Sequence, residues 1–169
     1  MDNRYPLGHF TCPSEVQEKD IQMWINEMTT LPSRLKALTA SLDELDLTKK
    51  YRDNSWNVRQ LIHHFFDSHL NGYMRVKLAL TEDNPVVKTY EESEWGKLID
   101  YELPISVSVQ LIESLHERWT YLLKNLTTTQ LQRSYQYPDG SKMRIDQSIA
   151  LYAWHGNHHL AHIQQALNN

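Results

Sequence analysis

Apolar residues return at three- and four-residue spacing over four long stretches of the chain, which is the period of an amphipathic α-helix. The first stretch begins after Ser14, a good N-cap residue with Gln17 three positions later, and continues to Leu42. Pro32 lies inside this stretch. Because proline removes a helical N–H, we expect the first helix to be kinked or divided there.

The rest of the chain continues the alternation of helix and connection. In order, the pattern predicts a short connection over residues 43–53, a second helix over 55–81 with Ser55 as its cap, a long loop over 86–104, a third helix from Ser106 or Ser108 to Asn125, a helical turn over 127–131, a hairpin over 135–145 and a fourth helix from Asp146. Long helices with so little strand predict an all-α fold, most simply a four-helix bundle with long loops and a small hairpin. We treat residues 1–169 as a single domain.

Composition narrows the class of protein. The 169 residues are 40% hydrophobic and include five tryptophans, enough for a packed core. The net charge is −4, so nothing favours nucleic acid or a membrane as partner, and we expect a small-molecule substrate. The single cysteine, Cys12, excludes an intramolecular disulfide. The sequence shows no apolar signal segment and no run of bilayer length, so we expect a cytoplasmic protein.

Histidines are concentrated in residues 152–163, which hold four of the nine in the chain. On a helix, His155 and His159 are four residues apart and share a face beside the apolar stripe. His158 and His162 form a second such pair, which the same geometry places nearly opposite the stripe, toward solvent. Because metal sites in helical domains are built facing the bundle interior, we select His155 and His159 as candidate ligands.

A catalytic metal site usually has three protein ligands and an open position, so a third ligand is needed. The second helix offers His63, His64 and His69. His69 points into the apolar stripe and is expected to be a buried, hydrogen-bonded histidine. His63 and His64 flank that stripe, and periodicity does not choose between them. Three imidazole nitrogens suit zinc, nickel or another borderline divalent ion.

Five segments resemble the YfiT-like branch of the DinB superfamily: residues 5–10, 51–64, 67–71, 77–83 and 152–163. The resemblance implies a four-helix DinB-like fold in which a divalent metal ion is held by one histidine of the second helix and two of the fourth. The family's first ligand stands just before an apolar residue. His64, which precedes Phe65, matches that position, and His63 is the fallback. The other two ligands fall on His155 and His159.

The resemblance also implies an activity. Some members of this superfamily are provisionally labelled metal-dependent hydrolases, and others are transferases or isomerases that use bacillithiol or mycothiol, some of them dimers. We therefore expect a metal-dependent enzyme, a bacillithiol-type thiol S-transferase acting on electrophilic substrates, and a homodimer is possible under the same resemblance. The alternatives are a hydrolase that uses a metal-activated water and a non-enzymatic, metal-stabilised stress or binding module. Three histidines without a cysteine favour an open, reactive site over a structural one.

Other residues have weaker claims to a role. Asp67 lies one turn from His64 and is open as a general base, as a partner that orients a ligand imidazole, or as a surface acid. The remaining candidates are Glu92 and Glu94 as acids of the long loop, Arg59, Arg75 and Lys77 as partners for cosubstrate carboxylates or as plain helix charges, Cys12 as an ordinary thiol, and Trp154 as a cover for a dimer partner or the loop.

Overall fold

The structure, a computed structural model, describes residues 3–169 and is an all-α four-helix bundle with one small hairpin. Its elements in order are α1 (Glu18–Thr39), α2 (Glu44–Thr48), α3 (Val58–Thr81), α4 (Glu92–Trp95), a 3-10 turn (Ile99–Glu102), α5 (Ile105–Lys124), α6 (Thr128–Leu131), β1 (Ser134–Gln136), β2 (Lys142–Arg144) and α7 (Ile145–Asn168). Helices α1 and α3 each pack against both α5 and α7. This confirms the predicted fold class and the predicted hairpin.

The helices start at residues other than the predicted caps. Helix α1 is capped by Gln17 rather than Ser14, and the Gln147 amide holds the chain before it by donating to the Pro13 carbonyl at 2.9 Å. Helix α3 is capped by Asn57, whose side chain accepts from Gln60 N at 2.8 Å. Ser55 does not cap α3, because its hydroxyl faces the Arg52 and Trp56 carbonyls. The other two starts also differ: α5 begins at Ile105 after Pro104, and α7 begins at Ile145 with Arg144, and not Asp146, as its cap.

Pro32 does not divide the first helix, so that alternative of our prediction is wrong. Helix α1 runs through it as one element, and Pro32 itself is buried. A proline in a helix leaves the carbonyl four residues earlier without its N–H donor. Here that carbonyl is Met28, and the Nδ1 atom of His116 on α5 bonds to it at 2.7 Å. A donor from a neighbouring helix replaces the one that proline removes.

Helices α3 and α7 approach closely in the core, and this contact sets the geometry of the histidine cluster described below. Gly72 on α3 faces the ring of Tyr152 on α7, and a Cβ atom added at Gly72 would lie 2.3 Å from the ring's Cζ. Gly156 on α7 meets Leu31 of α1 in the same way, with 2.7 Å between the added Cβ and a Leu31 methyl. Only glycine allows these helix surfaces to meet so closely.

The 86–104 segment, predicted to be a loop, contains α4 and the 3-10 turn. Among its contacts with α3, the Gln60 amide donates to the Gly96 carbonyl at 3.0 Å, and the hydroxyl of the buried Tyr101 donates to Asp67 at 2.6 Å. Across the described residues, no helix is both long and apolar enough to cross a membrane.

Candidate metal centre

Three histidine rings meet between α3 and α7. His64 comes from α3, and His155 and His159 come from successive turns of α7. One ring nitrogen from each lies within 4.8 Å of those of the other two. The ring centroids are 5.4 Å apart for His64 and His155, 5.0 Å for His64 and His159, and 4.4 Å for the α7 pair. One divalent cation can therefore be reached by all three rings.

The structure distinguishes His64 from its neighbour His63, which periodicity alone did not. Both ring nitrogens of His63 are used away from the cluster: Nδ1 lies 2.7 Å from the Ser108 hydroxyl and Nε2 lies 3.0 Å from the Leu103 carbonyl. His64 is buried, and its Nδ1 atom has no hydrogen-bond partner in the described structure. A buried ring nitrogen without a partner is costly, and a cation bound by the cluster would be a suitable partner for this ring.

Burial keeps these rings neutral. It lowers the pKa of His64 to about 4 and the pKa of His155 and His159 well below their usual value. Neighbouring histidines lower the pKa of each α7 ring further: His69 acts on His155, and His155 acts on His159. A neutral imidazole presents the lone pair that zinc and nickel bind, so the donor set fits a borderline divalent metal ion.

A chain of buried imidazoles leads from α1 to this cluster. His116 Nδ1 faces the Met28 carbonyl, His116 Nε2 lies 2.8 Å from His69 Nδ1, and His69 Nε2 lies 3.1 Å from His155 Nδ1. The Met28 carbonyl can only accept, so His116 donates from Nδ1. In a neutral ring its Nε2 must then accept from His69 Nδ1.

The same reasoning fixes the tautomer of the ligand candidate. His69, having donated from Nδ1, accepts at Nε2 from the Nδ1–H of His155. His155 therefore carries its lone pair on Nε2. Ser68 Oγ lies 3.3 Å from this atom, placed to donate to the same lone pair. The carbonyl freed by Pro32 thus selects, through two rings, which nitrogen of His155 is available to a cation.

The second histidine pair of α7 is not solvent-exposed, so the predicted orientation of His158 and His162 is wrong. Their exposed fractions are 6% and 2%. The N-terminal arm, residues 3–13, covers both: the Tyr5 ring lies 6.2 Å from the His158 ring, and the Arg4 carbonyl lies 3.2 Å from His162 Nε2. Tyr51, outside the arm, stacks on the His162 ring at 4.0 Å. Neither ring belongs to the three-histidine cluster.

A cavity of about 340 Å³ opens beside His155. Its wall includes Ser68, Arg75, Tyr90, Glu92, Tyr137, Tyr152 and His155. Helix α3, helix α7, the 86–104 segment and the hairpin region each contribute to it. The cavity gives a small molecule access to one of the three candidate ligands.

The other candidate residues lie elsewhere. Asp67 accepts from Tyr101 and makes no hydrogen bond to the cluster in the described structure. Arg59 forms an ion pair with Glu44, and Glu94 forms one with Lys97 at 2.6 Å. Lys77 and Cys12 are exposed. Trp154 stacks on His158 at 4.4 Å and packs near Phe10 of the N-terminal arm, with ring centroids 5.7 Å apart. Its contacts are therefore with this arm instead of the loop, and the alternative that it covers a dimer partner stays a prediction.

Sequence reasoning missed His116, Ser68 and Tyr90. His116 had a usable signal, because Ile112, four residues earlier, and Trp119, three later, mark the buried face of α5. Ser68 is four residues after His64 and so shares its helix face. Nothing in the sequence pointed to Tyr90, because its position depends on how the 86–104 segment folds.

Comparison with known proteins identifies the family. The sequence model of the DinB superfamily matches residues 27–163. A relative from Halalkalibacterium halodurans, provisionally named a metal-dependent hydrolase, is 87% identical over 99% of this chain and 98% of its own length. The structure of YfiT from Bacillus subtilis, described as a probable metal-dependent hydrolase with an unusual four-helix bundle topology, matches with a TM-score of 0.96 at 35% identity, covering 99% of this chain and 97% of YfiT.

The fold also extends to a more distant protein. A mycothiol-dependent maleylpyruvate isomerase matches with a TM-score of 0.65 at 13% identity, over 84% of this chain and 60% of the isomerase, a likeness of fold alone. The family assignment rests on the other two relatives and the family model, which cover the chain from α1 to α7. By its sequence and its bundle, this chain belongs to the DinB superfamily.

Proposed function

We propose that this chain is a metal-dependent S-transferase that joins a low-molecular-weight thiol of the bacillithiol type to electrophilic substrates. His64, His155 and His159 are the proposed ligands of a zinc or nickel ion. The observation that carries the proposal is the cluster itself: three neutral imidazoles from two helices, with a cavity beside one of them. A closed structural site would be expected to have a fourth protein ligand.

A divalent cation in such a site acts as a Lewis acid and lowers the pKa of a thiol or a water molecule that it coordinates. The protein's part is to hold the three imidazoles neutral and correctly oriented. Burial keeps the imidazoles neutral, and the Met28–His116–His69 chain orients the ring of His155. The cavity beside His155 then brings the two substrates to the same place.

The surroundings of the cluster favour a thiol over water as nucleophile. Within residues 3–169, the hydrogen bonds of the three rings go to Ser68, His69 and His162, and none goes to a carboxylate. A thiol has an ordinary pKa of about 8.5, so a modest lowering gives the reactive thiolate without a protein base. A water nucleophile usually needs a base close by.

Hydrolysis is the second candidate, and two observations favour it. The relatives described above bear provisional names as metal-dependent hydrolases. Glu92 also lines the cavity, where burial raises the pKa of its carboxyl against an opposing effect of Arg75. Glu92 is thus the acid best placed to serve as a general base. We expect Glu92→Gln to remove most of any esterase activity but little of a thiol-transfer activity.

The first experiment tests the metal site. Elemental analysis of untagged protein should find about one divalent ion per chain, and His155→Ala and His159→Ala should each lose it. His158→Ala is the matched control, because its ring lies on the same helix but outside the cluster. Stoichiometric metal in both ligand variants would contradict the assignment.

The second experiment tests the reaction. Metal-loaded and chelated samples would be offered bacillithiol or a surrogate thiol with a simple aromatic electrophile, and in parallel a panel of esters. Metal-dependent conjugation is the expected result. Ester cleavage without conjugation would favour the hydrolase, and bound metal with neither reaction would favour a structural role. The homodimer stays a prediction, which light scattering on the purified protein would test.

A further inference from the structure

We propose that Arg75 and Tyr90 form a binding subsite for a carboxylate group of the substrate, in the cavity that also exposes His155. This inference deepens the proposed function and rests on it, since it names a feature of the molecule that enters the same cavity. The occupant is a small molecule with a single carboxylate, separated from its reacting atom by several bonds.

Arg75 shares a helix face with the histidine cluster. It follows Ser68 by seven residues and His64 by eleven, which are two and three turns of α3. Two turns correspond to about 10 Å along the helix axis. Arg75 and the ligand candidate His155 both line this cavity, so a substrate could be held at the guanidinium and react beside His155.

The guanidinium of Arg75 has unused hydrogen-bonding capacity. It donates to the Lys88 carbonyl at 3.1 Å and, at the long distance of 3.4 Å, to the Tyr152 hydroxyl. Its Nε atom is buried with no partner in the described structure. No carboxylate of residues 3–169 forms an ion pair with it. The charge of Arg75 does act on the Glu92 carboxyl, but a half-buried guanidinium that touches no carboxylate still has room for a carboxylate ligand.

Tyr90 supplies a second donor in the same cavity. Its buried hydroxyl has no hydrogen-bond partner at bonding distance within residues 3–169, although the Ser68 hydroxyl is near enough to lower the Tyr90 pKa. Contact with the tilted ring of Trp95, with ring centroids 4.4 Å apart, holds the Tyr90 ring in place. Burial, and then the charge of Glu92, raises the pKa of Tyr90, so the hydroxyl keeps its proton. It is available as a donor to one carboxylate oxygen while Arg75 holds the other.

Glu92 limits what the subsite accepts. Its carboxyl lines the same cavity, and although the two side chains are not within ion-pair distance, the charge of Arg75 opposes the effect of burial on the Glu92 pKa. A doubly charged phosphate would be repelled by the Glu92 carboxylate more strongly than a single carboxylate, which adds only one negative charge.

The opposing interpretation is that Arg75 only ties α3 to Lys88 and packs on Tyr137, whose ring centroid lies 5.5 Å from the guanidinium carbon.

A binding experiment separates these readings without any reaction. Protein freed of metal with phenanthroline and dialysed would be titrated calorimetrically with phenylacetate and its neutral isostere phenylacetamide. We expect the carboxylate to bind roughly tenfold more tightly, the scale of one charge-assisted contact. Arg75→Gln should abolish that preference and Tyr90→Phe should reduce it, while Arg118→Gln, an exposed arginine outside the cavity, should keep it.

A wild type without the preference, or Arg75→Gln with the preference intact, would overturn the proposal. A loss of thermal stability in Arg75→Gln with unchanged preference would also do so, because it would show a purely structural tether. Arg75→Lys keeps the positive charge and should retain part of the preference. It is the control that separates loss of the charge from a folding defect in Arg75→Gln.

A reaction experiment separates this proposal from the proposed function. Metal-loaded protein would be assayed for conjugation of 3-mercaptopropionate or 3-mercaptopropanamide to the same simple aromatic electrophile. Arg75→Gln should raise KM for the acid while kcat stays unchanged. Carboxylate preference in binding without any conjugation would support the subsite and overturn the transferase. Conjugation without carboxylate preference in either experiment would support the transferase and overturn the subsite.

Discussion

His63 and His64 are neighbours in sequence, yet their rings have different surroundings. One residue along an α-helix turns the side chain by about 100°, which takes His63 toward Ser108 and the Leu103 carbonyl and His64 toward the α7 rings. The sequence alone left the choice open because both positions flank the apolar stripe. The packing partner of each flank decides it, and periodicity does not report packing partners.

At this scale the ligand assignment gives a direct prediction. His64→Ala should weaken zinc binding by more than the roughly 10–100-fold that loss of an outer-shell partner costs, because it removes one of three donors. The measurement is competition against a chromophoric chelator at pH 7.5. His63→Ala is the matched control and should bind zinc as the wild type does. Equal losses in both variants would show that the helix, and not the ligand, had been disturbed.

Gly72 gives a second prediction about a single residue. An alanine methyl there would lie 2.3–2.7 Å from three ring atoms of Tyr152, which is 3% exposed and cannot swing away freely. Overpacking of this kind costs about 1–3 kcal/mol, offset by about 1 kcal/mol of helix propensity. We therefore expect Gly72→Ala to lower the free energy of unfolding in urea.

Gly156→Ala is the comparison for this variant. Its methyl would meet the end of the Leu31 side chain, which adjusts more easily than an aromatic ring. The loss should accordingly be smaller than for Gly72→Ala. The reverse order would mean that the α1–α7 contact is the less adaptable one.

At the scale of elements, the imidazole chain joins all four bundle helices. Pro32 of α1 frees the Met28 carbonyl, His116 of α5 bonds to it, His69 of α3 continues the chain, and His155 of α7 ends it. A break anywhere along this chain leaves the tautomer of His155 less well defined. The metal centre therefore depends on helices that contribute no ligand.

This dependence can be tested at His116. His116→Phe keeps a buried ring but removes both nitrogens, so zinc affinity should fall by about 10–100-fold, the usual effect of losing an outer partner. His116→Gln, which can still donate and accept, should recover part of it. Nitrogen NMR of the wild-type imidazoles should show His155 protonated at Nδ1. An unchanged affinity in His116→Phe would exclude a role for the chain in metal binding.

The long helices could be predicted from sequence because their apolar period extends over five or more turns. Their starts could not, because Ser55 and Asp146 are as good cap residues as those actually used. Pro32 was misread for a related reason: the cost of a proline depends on whether another donor reaches the freed carbonyl, here that of His116. Contacts between distant elements carry no signal in local spacing.

At the scale of the whole molecule, the N-terminal arm changes which surfaces face solvent. The helical wheel placed His155 and His159 correctly beside the core, but it assigned His158 and His162 to solvent. Both are buried, since the Arg4 carbonyl and the Tyr51 ring reach His162 from far away in sequence. A wheel describes one helix by itself, and coverage by a distant segment is invisible to it.

Burial of so many imidazoles also makes the stability of the fold depend on pH. His116 is 1% exposed, and burial lowers its pKa to about 4, against about 6.5 in an unfolded chain. Between these values the unfolded chain binds a proton that the folded protein excludes. The contribution of His116 to the free energy of unfolding is therefore fully present above pH 6.5. It falls as the pH drops toward 4, by up to about 1.4 kcal/mol per pH unit.

The other buried histidines shift in the same direction, whereas Asp67 and Glu92, whose pKa values are raised by burial, oppose the effect. Urea unfolding of metal-free protein at pH 7.5, 6.0 and 5.0 should give a free energy that declines with each step. In His116→Gln the decline should be shallower by up to one proton, since the replaced side chain does not titrate. Identical slopes in the two proteins would mean that His116 takes up its proton at the same pH in the folded and unfolded chain, so that burial does not hold this ring neutral.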